Sequence, residues 1–246
     1  MNRTEDLGIG LAIAQRLLNE GCSVMIADLA LRPEAEATTA KYPHPSSHDG
    51  SPSATFHKTD VTNWFPWEAT VKSFGRVDIV VNNAAAKDQV DAAVGSYHTF
   101  NVNTIGPIRL AQIAIDYWLQ NHEIKGNLLW VSSMGAYIHS IQTPFYFASK
   151  AAILSVVKSL QGLKQLVGIR NSVICPGPTR IRDYRPQYDN GNALEIMMVG
   201  SKEAPVIHQK EVQLEALYPT ASSMGAGTKA IDFMKMIAEK GMRSTC

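Results

Sequence analysis

Four short apolar runs and one mixed segment alternate along the chain with longer segments that carry an apolar stripe at helical spacing. The apolar runs predict buried strands at residues 24–27, 77–81, 128–131 and 173–175, and the mixed segment predicts a short strand at residues 54–58. The striped segments predict helices at residues 9–20, 31–42, 64–74, 99–120, 145–166 and 227–240. This alternation predicts right-handed crossovers and a doubly wound parallel sheet, an α/β fold of the Rossmann type. Ligands of such sheets bind at the carboxyl ends of the strands.

The first predicted helix opens with Gly8, Ile9 and Gly10, and the strand after it ends at Asp28. Glycine lets the backbone approach a pyrophosphate at a helix N-terminus, and an acidic residue about 20 residues later can accept hydrogen bonds from a ribose. Asp28 could equally cap the next turn. The pattern favours the second half of a dinucleotide-binding unit.

The first strand of such a unit is missing from the sequence. Only seven residues precede Gly8, and Thr4 stands where an earlier glycine of the loop is expected. Either the start of the chain is truncated, or the protein does without its central strand. The second alternative would leave unpaired strand edges in the middle of the sheet, which is costly.

Polar and turn residues stand at the ends of the predicted strands, where a ligand is expected. They are Asp28, Asp60, Asn82, Ser133 and Pro176. Asp60 is typical of a helix cap, although at a strand end it could also contact a nucleotide base. Small residues follow Asn82 and would let a ligand lie close to the backbone.

Tyr146 follows Ser133 by thirteen residues, and Lys150 follows Tyr146 by four. On a helix this spacing places the tyrosine and the lysine on one face, with their Cβ atoms about 5–6 Å apart. An ammonium there would stabilise a phenolate, and a serine hydroxyl at a strand end could bind a substrate oxygen. The alternative is an ordinary amphipathic helix whose lysine is solvated. The first interpretation predicts a proton-transfer site for a hydroxyl or carbonyl substrate.

Composition narrows the class of protein. The 246 residues carry 23 basic and 22 acidic side chains, so charge gives no reason to expect a nucleic acid or an anionic membrane as partner. Cys22, Cys175 and Cys246 lie too far apart for a metal motif, and His44 with His48 lacks a third ligand, so no metal is expected. No apolar run is long enough to span a bilayer, which favours one cytoplasmic domain over residues 1–246.

Over about residues 4–180 these motifs resemble the short-chain dehydrogenase/reductase family. The matching segments are G-I-G at 8–10, Asp28, D-V at 60–61, N-N-A-A at 82–85, V-N-T-I-G around Asn103, Ser133, Y-F-A-S-K at 146–150 and P-G at 176–177. The resemblance implies hydride transfer between a nicotinamide cofactor and a secondary alcohol or ketone, in a homodimer or homotetramer.

The resemblance also implies roles for individual residues. Tyr146 would be the acid/base, Ser133 would bind the substrate oxygen, Lys150 would hold the nicotinamide ribose, and Asn103 would order a water that relays protons to Lys150. The implied cofactor contacts are Gly8, Ile9, Gly10, Asp28, Asp60, Val61, Asn82, Ala84, Tyr146, Lys150, Pro176, Gly177 and Thr179. Asp28 marks NAD rather than NADP as the cofactor.

The sequence departs from the family pattern at several places. N-N-A-A replaces the usual N-N-A-G, and the C-terminal segment lacks the family's terminal strand. Residues 180–217 would cover the substrate, and their loop-borne apolar and aromatic side chains suit a lipophilic or aromatic small molecule; a partly disordered excursion is the alternative. The residues of this segment that could contact such a substrate are Tyr184, Tyr188, Met197, Met198 and His208. A non-redox relative, either a cyclase or isomerase or a binding protein with weakened cofactor binding, is the alternative function.

Overall fold

The computed structural model describes residues 8–46, 48–63, 67–86, 97–138 and 143–177, and the backbone of residues 193–200 and 205–212. The chain divides into two compact units. The first contains residues 1–77 and 180–185, and the second contains residues 78–179 and 186–246. The single domain expected over residues 1–246 stays a prediction.

Helices and strands alternate in the first unit as the sequence predicts. Its elements are α1 (Ile9–Asn19), β1 (Val24–Asp28), α2 (Pro33–Lys41), β2 (Ala54–Lys58) and α3 (Trp67–Phe74). Strands β1 and β2 are parallel and pair from Val24 with Ala54 to Asp28 with Lys58. Leu18 of α1, Ala35 of α2 and Ala54 of β2 are buried and form part of the core of this unit.

Strand β1 differs from the fully buried strand that its apolar sequence predicts. Val24, Met25 and Ile26 are half-buried, and Ala27 and Asp28 are exposed. Among the described residues β1 pairs only with β2, so its other edge lacks a neighbouring strand that would cover it. The sequence pattern correctly predicts a strand here, but an apolar run does not indicate whether a strand lies inside a sheet or at its edge.

The second unit contains a five-stranded sheet in the order β3-β4-β5-β6-β7. Its elements are β3 (Ile79–Asn82), α4 (His98–Phe100), a π-helical turn (Asn101–Ile105), α5 (Gly106–Gln120), β4 (Asn127–Val131), a 3₁₀ turn (Met134–Ala136), α6 (Pro144–Ser159), α7 (Leu163–Val167), β5 (Arg170–Pro176), β6 (Ala193–Gly200) and β7 (Pro205–Val212). Strands β3 to β6 are parallel, and β7 is antiparallel to β6. The flanking helices and parallel strands confirm the expected α/β fold.

Strands β6 and β7 correct the interpretation of residues 180–217 as a loop or a partly disordered excursion. Two eight-residue strands occupy much of that segment and extend the sheet beyond β5. Met197, Met198 and His208 lie in these strands, whereas Tyr184 and Tyr188 lie outside the described residues. Residues 193–200 are mainly apolar with one charged residue, Glu195, and the sequence at 205–212 begins and ends with apolar residues, so each strand carries an apolar signal that the mixed composition of the whole segment hides.

The core of the second unit forms where β4 and β5 are covered by helices. Helix α5 contacts β3, and α6 contacts β5. The fully buried side chains of this core are Ile115 and Trp118 of α5, Leu128 and Trp130 of β4, Ile153 and Leu154 of α6, and Ile174 of β5. At the sheet edge, by contrast, Ile79 of β3 is exposed, although the sequence predicts burial on both faces.

Two helices are interrupted where the sequence predicts continuous ones. Residues 99–120 divide into α4, the π-helical turn and α5. Pro107 has no N–H to donate to the carbonyl four residues earlier, that of Asn103, and the ordinary helical ladder therefore fails there. Residues 145–166 divide into α6 and α7, with Gly162 as the N-cap of α7.

The predicted closing helix at residues 227–240 and the aromatic residue Trp64 lie outside the described residues. Within the described part of the chain, the helices are too short or too polar to cross a lipid bilayer. The same residues contain no cluster of three or more histidine, cysteine or acidic side chains able to hold a metal ion.

Candidate active site

Tyr146 and Lys150 lie in the first two turns of α6, which begins at Pro144. Proline suits a first helical turn because the missing N–H would have no partner there. The Lys150 Nζ atom lies 5.9 Å from the centre of the Tyr146 ring. The tyrosine is half-buried, and its ring meets that of Phe147 edge-on at 5.9 Å between centroids. The four-residue spacing thus brings the phenol and the ammonium to one face of the helix, as predicted.

Lys150 is buried, which rules out the alternative of a solvated lysine. Only 2% of its surface is exposed. Its Nζ atom donates a hydrogen bond of 2.9 Å to the carbonyl of Val131, the last residue of β4. Burial lowers the pKa of Lys150 from 10.5 to about 8, and an interaction with Cys175 partly offsets this effect. The side chain is therefore mainly an ammonium at neutral pH, but one that loses its proton readily.

Ser133 stands two residues after β4 and caps the 3₁₀ turn that follows. Its Oγ atom accepts a hydrogen bond of 3.0 Å from the backbone N–H of Gly135. A hydroxyl that accepts in this way keeps its own proton to donate. A Cβ atom added at Gly135 would lie 3.3 Å from a ring carbon of Phe147, so the turn packs closely against the residue next to Tyr146.

Asn103 is buried in the π-helical turn, and its side-chain amide joins three segments of the chain. Its Oδ1 atom accepts from the backbone N–H of Ala86 at 2.7 Å, and its Nδ2 atom donates to the Ala86 carbonyl at 2.8 Å. Nδ2 also donates to Ser149 Oγ at 3.0 Å. Both Nδ2 hydrogens are therefore committed, and the side-chain N–H groups cannot order a relay water as well. The expected part of Asn103 in a proton relay stays a prediction.

Sequence analysis missed Ser132, the residue before the expected serine. The buried Ser132 Oγ atom donates a hydrogen bond of 2.8 Å to the main-chain carbonyl of Lys150. This bond and the one from Lys150 Nζ to Val131 tie α6 to the end of β4 in both directions. Two consecutive serines at 132–133 indicate that either could have a role at this strand end, but the spacing to Tyr146 points only to Ser133.

Cys175 and Pro176, at the end of β5, are buried near the same lysine. Burial raises the pKa of the Cys175 thiol to about 11, against smaller opposite effects of hydrogen bonds from Tyr137, Ser132 and Ser133. The Tyr137 hydroxyl lies 3.4 Å from Cys175 Sγ. The thiol is therefore neutral at physiological pH, as the sequence predicts for a small buried hydrophobe. Gly177 follows it, half-buried, and Thr179 lies outside the described residues.

Asn82 ends β3 and carries a buried side-chain nitrogen, Nδ2, without a hydrogen-bond partner. Most buried polar groups in native proteins are paired, so an orphaned donor at a strand end requires an explanation. A bound polar ligand would supply one. Ala84, two residues later, is half-buried.

The remaining predicted cofactor contacts belong to the first unit. Gly8 is the N-cap of α1 and makes no side-chain capping bond, while Ile9 and Gly10 form the first turn. Asp28 is exposed and accepts from the backbone N–H of Leu29 at 2.7 Å.

Asp60 and the half-buried Val61 follow β2 in the first unit. Asp60 Oδ1 accepts from both the backbone N–H and the hydroxyl of Thr62, at 2.9 Å and 2.7 Å. Asp60 and Asp28 both accept hydrogen bonds from residues close to them in sequence, which agrees with the turn-capping alternative. These bonds do not test whether either aspartate also contacts a cofactor.

Residues 5–189 match the model of the family described as short chain dehydrogenase. Galactitol 2-dehydrogenase of Agrobacterium fabrum is 33% identical over 178 residues, which are 69% of this chain and 66% of the relative. The NAD(+)-dependent 15-hydroxyprostaglandin dehydrogenase of Mus musculus is 30% identical over 178 residues, which are 69% of this chain and 63% of the relative. The chain thus spans less than two thirds of the length of these curated relatives.

A solved structure, that of a short chain dehydrogenase from Bacillus anthracis, superposes with a TM-score of 0.60 at 26% identity. The match covers 70% of this chain and 73% of that protein. The family profile extends over most of the chain and includes each of the residues Asn103, Ser133, Tyr146 and Lys150. The chain belongs to the short-chain dehydrogenase family.

Proposed function

We propose that this protein is an oxidoreductase that transfers a hydride between NAD and a secondary alcohol or its ketone. The observation that carries the proposal is the buried Lys150 ammonium beside Tyr146 on one face of α6. A buried cation with a lowered pKa next to a phenol is typical of a site that moves protons at neutral pH. The two relatives named above support the reaction type, because both names state dehydrogenation.

The chemistry divides between the cofactor and the chain. When bound, a nicotinamide cofactor supplies the hydride acceptor or donor. Tyr146 takes the hydroxyl proton of the alcohol, or returns it to the ketone. The Lys150 ammonium places a positive charge beside the reacting groups, and the Ser133 hydroxyl donates a hydrogen bond to the substrate oxygen.

The described residues fit a dinucleotide in two respects. The orphaned Nδ2 donor of Asn82 needs a polar partner, and the N-terminus of α1 has no side-chain cap and no acidic residue in its first turn. Free N–H groups at a helix start favour an anion such as a pyrophosphate. We assign the pyrophosphate to residues 8–10 and the ribose to Asp28. We assign further contacts to Asp60, Val61, Asn82, Ala84, Tyr146, Lys150, Pro176, Gly177 and Thr179.

NAD is proposed over NADP because the Asp28 carboxylate would repel a 2′-phosphate. One relative, the 15-hydroxyprostaglandin dehydrogenase, carries NAD(+) in its name. For the substrate we propose a lipophilic or aromatic alcohol or ketone, from the apolar and aromatic residues of segment 180–217. A homodimer or homotetramer in the cytoplasm completes the proposal.

Replacement of Tyr146 by phenylalanine tests the mechanism. Loss of the acid/base should lower turnover of a panel of secondary alcohols by about 10²–10⁴-fold, measured as NADH absorbance. NADH affinity, measured by fluorescence titration, should change little. Tyr97→Phe is the matched control, because Tyr97 is 73% exposed. Undiminished turnover by Tyr146→Phe would overturn the assignment.

A second candidate is a non-redox member, either a cyclase or isomerase or a binding protein. The half-buried β1 favours it, because the dinucleotide unit of this family has an apolar strand on the far side of that element. The same NADH titration separates the candidates. Absence of binding at millimolar cofactor would favour the non-redox function.

A further inference from the structure

We propose that Ser149, together with Thr104, is a positioning residue that fixes the helical turn carrying Tyr146 and Lys150. This inference rests on the proposed function of these two residues. Ser149 is the fourth residue of the Y-F-A-S-K segment and is fully buried. It lies three residues after the tyrosine and directly before the lysine in the sequence.

The Ser149 hydroxyl is both a donor and an acceptor. It donates to the main-chain carbonyl of Tyr146 at 2.7 Å and accepts from Asn103 Nδ2 at 3.0 Å. The amide of Asn103 therefore acts on Tyr146 through the serine. Asn103 is itself held by two hydrogen bonds to the backbone of Ala86. The position of Tyr146 therefore depends on a segment outside its own helix.

Thr104 holds the same residue by its main chain. Its buried Oγ1 atom donates to the Ser149 carbonyl at 3.2 Å. Two successive side chains of the π-helical turn thus bind both oxygens of Ser149. Unusual helical turns of this kind often mark functional sites, and here the turn presents two donors to α6.

The opposite side of the turn is fixed by β4. Ser132 Oγ donates to the Lys150 carbonyl at 2.8 Å, and Lys150 Nζ donates to the Val131 carbonyl at 2.9 Å. The turn is therefore held between two supports. Removal of the Ser149 hydroxyl would leave an N–H of Asn103 unpaired in a buried place and free the turn on one side. A displacement of a fraction of an ångström is enough to lower turnover without preventing binding.

Kinetics of four variants test this inference. We expect Ser149→Ala and Thr104→Val to lower kcat by about 10- to 100-fold while the KM for cofactor stays within about twofold. Thr104→Ser retains the donor and should restore kcat to near the wild-type value. Ser159→Ala is the matched control, because Ser159 Oγ makes a similar bond, 2.9 Å to the Ser155 carbonyl, on the exposed side of the same helix.

A second readout needs neither cofactor nor turnover. In protein labelled with 3-fluorotyrosine, Tyr146→Phe identifies the ¹⁹F signal of Tyr146. Ser149→Ala and Thr104→Val should shift or broaden that signal, whereas Ser159→Ala should leave it unchanged. If the wild type turns over no alcohol, the proposed function fails and this signal alone decides on the positioning role. If circular dichroism shows that Ser149→Ala does not fold, Thr104→Val replaces it in both measurements. The inference is overturned if the positioning variants match Ser159→Ala in both readouts.

Discussion

Lys150 shows how much of a site depends on burial of a single residue. Its ammonium is removed from water and keeps one main-chain acceptor, the Val131 carbonyl, at the end of β4. Burial of a charge costs free energy, which a single hydrogen bond offsets only in part. The lowered pKa of Lys150 is the consequence, and it links the stability of the protein to pH.

The linkage predicts that this lysine destabilises the protein less as pH rises. Between about pH 8, its folded pKa, and 10.5, its unfolded value, the unfolded chain binds more protons, so the free energy of unfolding increases with pH. From pH 7 to pH 9 we expect the wild type to gain about 1 kcal/mol relative to Lys150→Met, measured by equilibrium unfolding in urea. This range ends near pH 9, the ordinary pKa of the Cys175 thiol, above which that group acts in the opposite direction.

Lys164→Met supplies the control for this pH series, because Lys164 is exposed. Its unfolding free energy should run parallel to that of the wild type over the same range. If Lys150→Met also ran parallel to the wild type, the ammonium of Lys150 would have to be solvated.

The sequence predicts which side chains of the candidate site share a helix face but not how they are held. The four-residue spacing of Tyr146 and Lys150 is a local property, and the structure shows both on one face. The contact between Asn103 and Ser149 joins residues 46 positions apart in sequence. Only the packing of two helices brings such a pair together, so no motif reveals it.

At the scale of elements, a buried polar bridge joins β4, β5 and α6. Trp130 Nε1 of β4 donates to Asn171 Oδ1 of β5 at 2.7 Å, and Asn171 Nδ2 donates to the Val157 carbonyl of α6 at 2.8 Å. All three residues are fully buried. The bridge holds the helix that carries Tyr146 against β4 and β5, which end at Val131 and Pro176.

Loss of this bridge should be costly, and the cost should depend on both partners. Asn171→Leu leaves the indole N–H of Trp130 unpaired, and we expect a loss of about 2–4 kcal/mol in the free energy of unfolding. In the double variant with Trp130→Phe no orphaned donor remains. Its loss should therefore be about 1–2 kcal/mol smaller than the sum of the single losses, measured by a double-mutant cycle in urea. Simple additivity would show that the bridge is not the origin of the effect.

The elements themselves were predicted unevenly. All five predicted strands exist, and four of them were predicted from apolar runs, which are strong signals over short stretches. Strands β6 and β7 escaped prediction because residues 180–217 as a whole mix apolar, aromatic and charged residues, a composition that is typical of a loop. The π-helical turn at Asn101–Ile105 escaped it because Gly106 and Pro107 indicate an irregularity without specifying its form.

At the scale of the whole molecule, the strands of the described residues form a two-stranded sheet in the first unit and a five-stranded sheet in the second. Among the described residues β1 pairs only with β2, and β3 pairs only with β4. Unpaired strand edges are what the second alternative for the start of the chain implies, and both alternatives stay predictions. Both strands also keep more exposed side chains than their apolar sequences predict.

This arrangement predicts a gradient of amide hydrogen exchange. Alternate N–H groups of β1 face away from β2, whereas β5 pairs with β4 on one side and β6 on the other. Half-buried strands that are paired on one side only open at low free energy, so we expect the amides of Val24–Asp28 to exchange about 100-fold faster than those of Arg170–Cys175, measured by mass spectrometry or NMR. The β4 amides, paired on both sides, serve as the control and should exchange as slowly as those of β5. Equal protection of β1 and β5 would mean that β1 has a second strand partner outside the described residues, and that partner would remove the reason to consider a non-redox function.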